Sequence, residues 1–389
     1  MKKAAAILLA LILALSLFAC SSSSPQTTPS ASTSPSSSPS AEASASPTAP
    51  TQGTVGYFDD AKTSAANRKT YKIGYFYLST LALETAHFDA MKTMQTVLNF
   101  TCKDYSANND DDTFVQNLEV ASQEGYDGYV IEPDAVIFPR IVEIMAELKT
   151  PYVFTVNAYR DENGSNQVPT VILDQYKNGN TQVQWFFDNY KTYWKDANPA
   201  DIALLTLEYS TNPDLIERMD GVKDKFKELF PGNEIIIGDL AGLTLNEQNA
   251  FDKASGILSG NPDVKYWFID GSVENFGQGA TRATETLDMT DKTMILTSGA
   301  NILPKEWDAG YTGNWVASYA VYNYNYIVPA LSGLIALIDG RATPETLWQE
   351  NKQPGDKAST FFAGDQMVTV DTYKTVQDDI AKTYGVTSA

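Results

Sequence analysis

The chain has one histidine, His87, and two cysteines, Cys20 and Cys102, in 389 residues. A single imidazole excludes any site that needs two, which removes most zinc hydrolases. Two cysteines supply neither a disulfide framework nor a CxxC pair. Positive charge is also scarce: Lys plus Arg number 28 against 48 Asp plus Glu, a formal net charge of −20. No cationic field would draw in phosphate backbones or anionic headgroups, so nucleic acid is not an expected partner. There is no G-x-S-x-G, and Gly277-Gln278-Gly279 lacks the third glycine of a dinucleotide fingerprint and falls inside a helical stretch. The stretch Asp161-Glu162-Asn163-Gly164-Ser165 departs from a calcium loop, because its glycine comes too early and Ile172 stands where the bidentate Glu belongs. Asp110-Asp111-Asp112 precedes a helix, where negative charge and capping account for it better than a metal does. No cofactor and no metal is expected.

What remains is ordinary for a globular chain: 43% hydrophobic and 20% charged residues, enough for two or three domains. The N-terminus differs. Lys2 and Lys3 precede an apolar run from Ala4 to Leu17, short for a membrane span and suited to a secretory signal. The run ends in Leu17-Phe18-Ala19-Cys20, which resembles the lipobox of bacterial lipoproteins. That resemblance implies a signal peptide over 1–19 and a lipid, with palmitate among its acyl chains, on Cys20; two or more chains hold a protein stably on a membrane. An ordinary signal peptide that happens to contain a cysteine is the alternative. Ser21 to Pro50 is built from Ser, Thr, Pro and Ala apart from Gln26 and Glu42, so it has nothing to bury. Residues 20–70 read as a tether with a reach of roughly 40 Å. With Cys20 acylated, Cys102 is left as a small buried hydrophobe.

After the tether, strand and helix alternate. Strands are expected over Tyr71–Leu78, Cys102–Tyr105, Gly128–Ile131 and Tyr152–Val156, with helices over Glu84–Phe100, from Thr113, and over Ile137–Leu148. The pattern restarts with a helix over Gln175–Trp194 and continues through strands at Ile202–Thr206, Glu234–Ile237, Lys265–Ile269 and Thr293–Leu296. Helices separate them at Leu215–Phe230, Leu245–Leu258 and Val273–Leu287. Such alternation argues for α/β architecture: two doubly wound parallel-sheet lobes, with later crossings near Val316–Tyr319 and Met367–Val370. The expected division is 71–174 plus 319–345 for the first lobe and 175–318 plus 360–385 for the second.

Gln116 to Pro133 reads QNLEVASQEGYDGYVIEP, which resembles the second helix and third strand of the periplasmic-binding-protein-like family, sugar-binding branch (type I). Ser79-Thr80-Leu81 after the first strand, Glu217-Arg218-Met219-Asp220-Gly221 at a helix start, and a strand ending in Asp270 followed by Gly277 and Ala280 match in order and spacing. The resemblance covers about residues 71–385. It implies a three-crossing hinge, a ligand cleft between the lobes, and a monomeric, membrane-anchored receptor on the extracytoplasmic face that gives a sugar or similar small polar solute to the permease of an ABC importer.

The resemblance also carries site residues. After the first strand, Ser79, His87 and Phe88 match a polar residue and two aromatics. After the fourth strand the family has Asp-Arg where this chain has Asn157-Ala158, and Arg160 is the nearest substitute for the arginine. Arg218 matches the arginine at the start of the second lobe's first helix, on the edge of a solvated cleft. Asp270 matches a polar residue after a later strand, Ser298 stands where aspartate is common, and Tyr319, or Ser318, falls at the second crossing. Sugar hydroxyls both donate and accept, which suits planar polar groups, and sugar C–H faces stack on aromatic rings. Two alternatives remain open: a receptor of the same fold for a nucleoside or signal molecule that feeds a signalling protein, and a lipoprotein hydrolase using Asp270 and Glu274, one helical turn apart, as acid and base.

Overall fold

A computed structural model describes residues 69–79, 82–364 and 366–385. The signal, the tether, Cys20, and Thr80 and Leu81 of the loop after the first strand lie outside the described residues.

Among the described residues, two six-stranded sheets carry the fold. The first is built from β1 (Tyr71–Tyr77), β2 (Phe100–Ser106), β3 (Gly128–Glu132), β4 (Tyr152–Thr155) and β5 (Thr170–Ile172), with β11 (Thr360–Phe362) added parallel to β5 at the edge. Its strand order is β11-β5-β4-β3-β1-β2. Helix α1 (Ala82–Leu98) packs on one face, and α2 (Asp111–Ser122) and α3 (Phe138–Leu148) on the other. All five residues of β3 are buried, as a central parallel strand covered on both faces requires. Asp110 caps α2 by accepting from the Thr113 amide at 2.6 Å, which gives the three consecutive aspartates their place.

The second sheet runs β12-β10-β9-β8-β6-β7, with β12 antiparallel to β10. Its strands are β6 (Ile202–Glu208), β7 (Ile235–Asp239), β8 (Tyr266–Gly271), β9 (Thr293–Ser298), β10 (Trp315–Ala320) and β12 (Gln366–Val368). Helices α4 (Gln175–Tyr193) and α5 (Pro213–Leu229) cover one face. The other is covered by α6 (Glu247–Gly260), α7 (Glu274–Thr286), the short α8 (Leu303–Asp308) and α10 (Tyr373–Tyr384).

The chain passes between lobes three times: after β5 into α4, after β10 into α9 (Asn323–Ile338), and from β11 into β12. Two boundaries expected from the sequence move. Tyr319 and Ala320 belong to β10 of the second sheet, and the first lobe begins again only with α9, which packs on α1 and β3–β5. Thr360–Phe362, expected in the second lobe, pairs with β5 instead, and Leu347 and Trp348 complete the core beneath it. At three residues, β5 and β11 are too short to show a period, so only their pairing identifies them.

Candidate functional site

In parallel sheets of this kind the carboxyl ends of the strands present loops and helix starts to a common crevice. At the first-lobe wall, Glu132 ends β3 and its Oε2 accepts from the Tyr75 hydroxyl at 2.8 Å. His87 on α1 lies 2.9 Å from the same oxygen through Nδ1, and Thr155 reaches it at 3.4 Å. Glu84 sits one helical turn before His87 and accepts from the Ser79 hydroxyl at 2.6 Å. Burial, and then the nearby Glu132 carboxylate, pushes the Glu84 carboxyl up to about 8. The same two causes raise the Tyr75 phenol well above its ordinary value. Phe88 stacks on Tyr75 at 6.1 Å between centroids and packs against the first-lobe core. Its ring therefore serves packing in this conformation.

The second-lobe wall is organised by Arg218, which points from α5 into a buried position. Its Nε and Nη2 donate to Gln175 Oε1 at 2.9 and 2.6 Å, and Nη1 donates to the Ser272 carbonyl. The solvated cleft edge expected from the sequence is thus replaced by a buried, tied guanidinium, whose pKa burial lowers. Asp270 at the end of β8 is fully buried, and neither carboxylate oxygen has a protein partner. Burial holds its carboxyl well above the usual range; Arg218 opposes that shift and Glu208 adds to it. Ser298 is drawn into packing instead: its hydroxyl donates to Asn178 Oδ1 at 2.8 Å and accepts from Gln182 at 3.2 Å. Tyr319 is buried among first-lobe apolar residues and lies in the electrostatic field of Arg218.

Tyr326, at the start of α9, joins the two walls. Its ring meets His87 edge-on at 5.1 Å, and it acts electrostatically on Arg218. Through Tyr326, His87 is thus linked to Arg218 and Asp270, and Ser79 is tied to the same wall through Glu84.

Asn157 and Arg160 have a different task here. Asn157 follows Val156, a β-branched residue held at φ 70°, and donates to the Pro133 carbonyl at 3.0 Å. Its Oδ1 accepts from Asn212, the cap of α5 in the other lobe, at 3.3 Å. Arg160 bonds Asp214 Oδ1 at 3.0 Å, and the Ala158 amide reaches Asp214 Oδ2 at 3.2 Å. Arg160 thus closes the lobes against each other in place of supplying the absent arginine to the crevice. Its side chain is 34% exposed, so screening limits this latch to about 1 kcal/mol. Arg160→Ala should accordingly shift the population toward open forms by about fivefold, visible as a larger radius of gyration in small-angle scattering. An unchanged scattering curve would remove the latch from the account.

Glu274 cannot pair with Asp270 as acid and base. Its carboxylate accepts the Asn301, Ile302 and Leu303 amides at 2.8–3.1 Å and so caps α8. Sequence reasoning missed Glu84, Gln175, Asp214, Ser272 and Tyr326, whose roles arise only from tertiary placement. Glu132 was within sight, immediately before the proline of the quoted motif.

The chain matches the periplasmic binding protein domain over residues 82–327. It belongs to that family. Its members are binding proteins and not enzymes, which agrees with the committed Glu274. An ABC transporter L-arabinose-binding periplasmic protein of Azospirillum brasilense is 25% identical over 234 residues, covering 58% of this chain and 69% of that protein. Among solved structures, the fold is shared with an ABC transporter periplasmic solute binding protein from Actinobacillus succinogenes with bound D-allose. That structure has TM-score 0.63 at 13% identity, covering 79% of this chain and all 100% of the other. Caulobacter myo-inositol binding protein, bound to myo-inositol, gives TM-score 0.63 at 15% identity, covering 80% of this chain and 97% of that one. Among the described residues no helix is long and apolar enough to cross a membrane.

Proposed function

We propose that this chain is an extracytoplasmic solute-binding protein, held on the membrane by a lipid on Cys20, that captures a sugar or similar small polar solute and delivers it to the permease of an ABC importer. One observation supports this most. Two lobes, joined by crossings and by the Arg160–Asp214 contact, carry Arg218 and Asp270 on one side and Glu84, His87 and Glu132 on the other, with Tyr326 between. Such a crevice offers a polyol several charge-assisted hydrogen bonds at once. The ligands of the similar proteins, L-arabinose, D-allose and myo-inositol, support the same chemical class.

A thermal-shift screen of the purified chain against sugars, polyols and nucleosides tests the reading. A ligand at 100 times its Kd should add about 2.7 kcal/mol of stability. Stabilisation by nucleosides alone would move the function to a different solute. The anchor has its own test: Cys20→Ser should release the protein from the membrane pellet to the soluble fraction, and a variant that stays in the pellet would refute the lipid attachment.

A further inference from the structure

The buried charges of the described residues can be paired off, and a remainder is left at the crevice. Glu208 meets Lys223 at 3.2 Å, Asp214 meets Arg160 at 3.0 Å, and Glu274 caps α8. That leaves Glu84, Glu132 and Asp270 against Arg218 and the imidazole of His87. Arg218 lies in the second lobe with Asp270, so the first-lobe wall holds two carboxyls with only a histidine beside them. The unpartnered atoms there accept once the Glu84 carboxyl is ionised. Glu84 Oε2 is buried without a partner. His87 is fully buried, its Nδ1 faces Glu132 Oε2 at 2.9 Å, and its Nε2 has no partner. A carboxylate oxygen can only accept, so Nδ1 carries the hydrogen, and in the neutral ring Nε2 is a lone pair.

Resting on the sugar reading above, we propose that the solute is a cationic carbohydrate, an amino sugar, whose ammonium sits at the first-lobe wall among Glu84, Glu132 and His87 Nε2. An ammonium brings three donors and one positive charge, which is what this wall lacks. The other end of the ring meets Asp270 and Arg218, where both oxygens of Asp270 await hydroxyl donors. The raised Glu84 carboxyl agrees with this arrangement, since a carboxylate kept from ionising by burial and a like charge ionises when a cation arrives.

Calorimetry on the purified chain with glucosamine, galactosamine and mannosamine, each beside its parent hexose and its N-acetyl derivative, reads the preference directly. In at least one series the amine should bind about ten- to a hundredfold tighter than both uncharged forms, the range for hydrogen bonds to a charged group. Glu84→Gln keeps the shape of the side chain, and should bring the ratio of the Kd values for amine and parent to about one. Circular dichroism checks that the variant is folded. A parent or N-acetyl sugar that binds as tightly as its amine in every series overturns the proposal and leaves the sugar reading standing. So does a preference that survives in folded Glu84→Gln. If no carbohydrate in any series binds while a nucleoside does, the sugar reading and this proposal fall together.

Discussion

Arg218→Ala is expected to lose binding and stability together. The guanidinium is buried and ties Gln175 of α4 to the Ser272 carbonyl after β8. All of these partners belong to the second lobe, so the network persists when the lobes part. Removing the side chain leaves Gln175 Oε1 and the Ser272 carbonyl without donors and Asp270 without its opposing charge. A cost of about 3 kcal/mol follows, the low end for breaking a buried charged network. Urea unfolding of the ligand-free protein would show it as a lower midpoint. Affinity for a confirmed ligand should fall about ten- to a hundredfold besides. From the sequence alone Arg218 looks like a removable group on a wet surface. A wild-type midpoint with weakened binding would restore that simpler picture.

Gly179→Ala should be as damaging through packing alone. A Cβ at Gly179 would lie 2.1 Å from the Arg218 carbonyl oxygen and 2.6 Å from the Val222 nitrogen. Its counterpart on α5, Gly221, would put a Cβ 2.3 Å from the Tyr176 carbonyl oxygen. Both obstacles are backbone, so no side chain can turn aside, and α4 and α5 must separate. Overpacking of this severity costs about 3 kcal/mol. Because Gln175 and Arg218 ride on those two helices, their hydrogen bonds stretch with the separation, and ligand affinity should fall as well. Gly256→Ala on α6 is the control: no atom lies within 4 Å of the added methyl, so stability should hold or rise by about 0.5–1 kcal/mol. Equal midpoints for the two variants would show that the α4–α5 contact yields more easily than its geometry implies.

The fold was largely legible because its signals are local. β1, β3, β6, β8 and β9 announce themselves as short apolar runs, and helices such as α1 and α5 carry an apolar face. Where pairing alone defines an element, as for β5 and β11, there was nothing local to read. The site divides in the same way. His87, Arg218 and Asp270 stand at recognisable places on strand ends and helix starts, which is why they could be named as candidates. Asn157 and Arg160 could be placed in the right loop, yet their engagement with Asn212 and Asp214 depends on which residues the other lobe offers. Ser298 reads as a polar crevice residue, but α4 supplies Asn178 and Gln182 at a distance that absorbs its hydroxyl. Tyr326 had no signal, since one tyrosine among 21 is unremarkable until α9 lays it on His87.

The pairing of Thr360 with Thr170 constrains how the protein comes into being. The outer strand of the first sheet follows β6 to β10 of the second in chain order, so a growing polypeptide cannot finish its first sheet before most of its second has been made. Until then β5 presents an unpaired edge, the kind of surface on which nascent chains associate wrongly. Neither lobe is one continuous stretch, because the first takes β11 and the second takes β12 from the segment that follows α9. The first sheet is therefore completed late, after five strands of the second have been made.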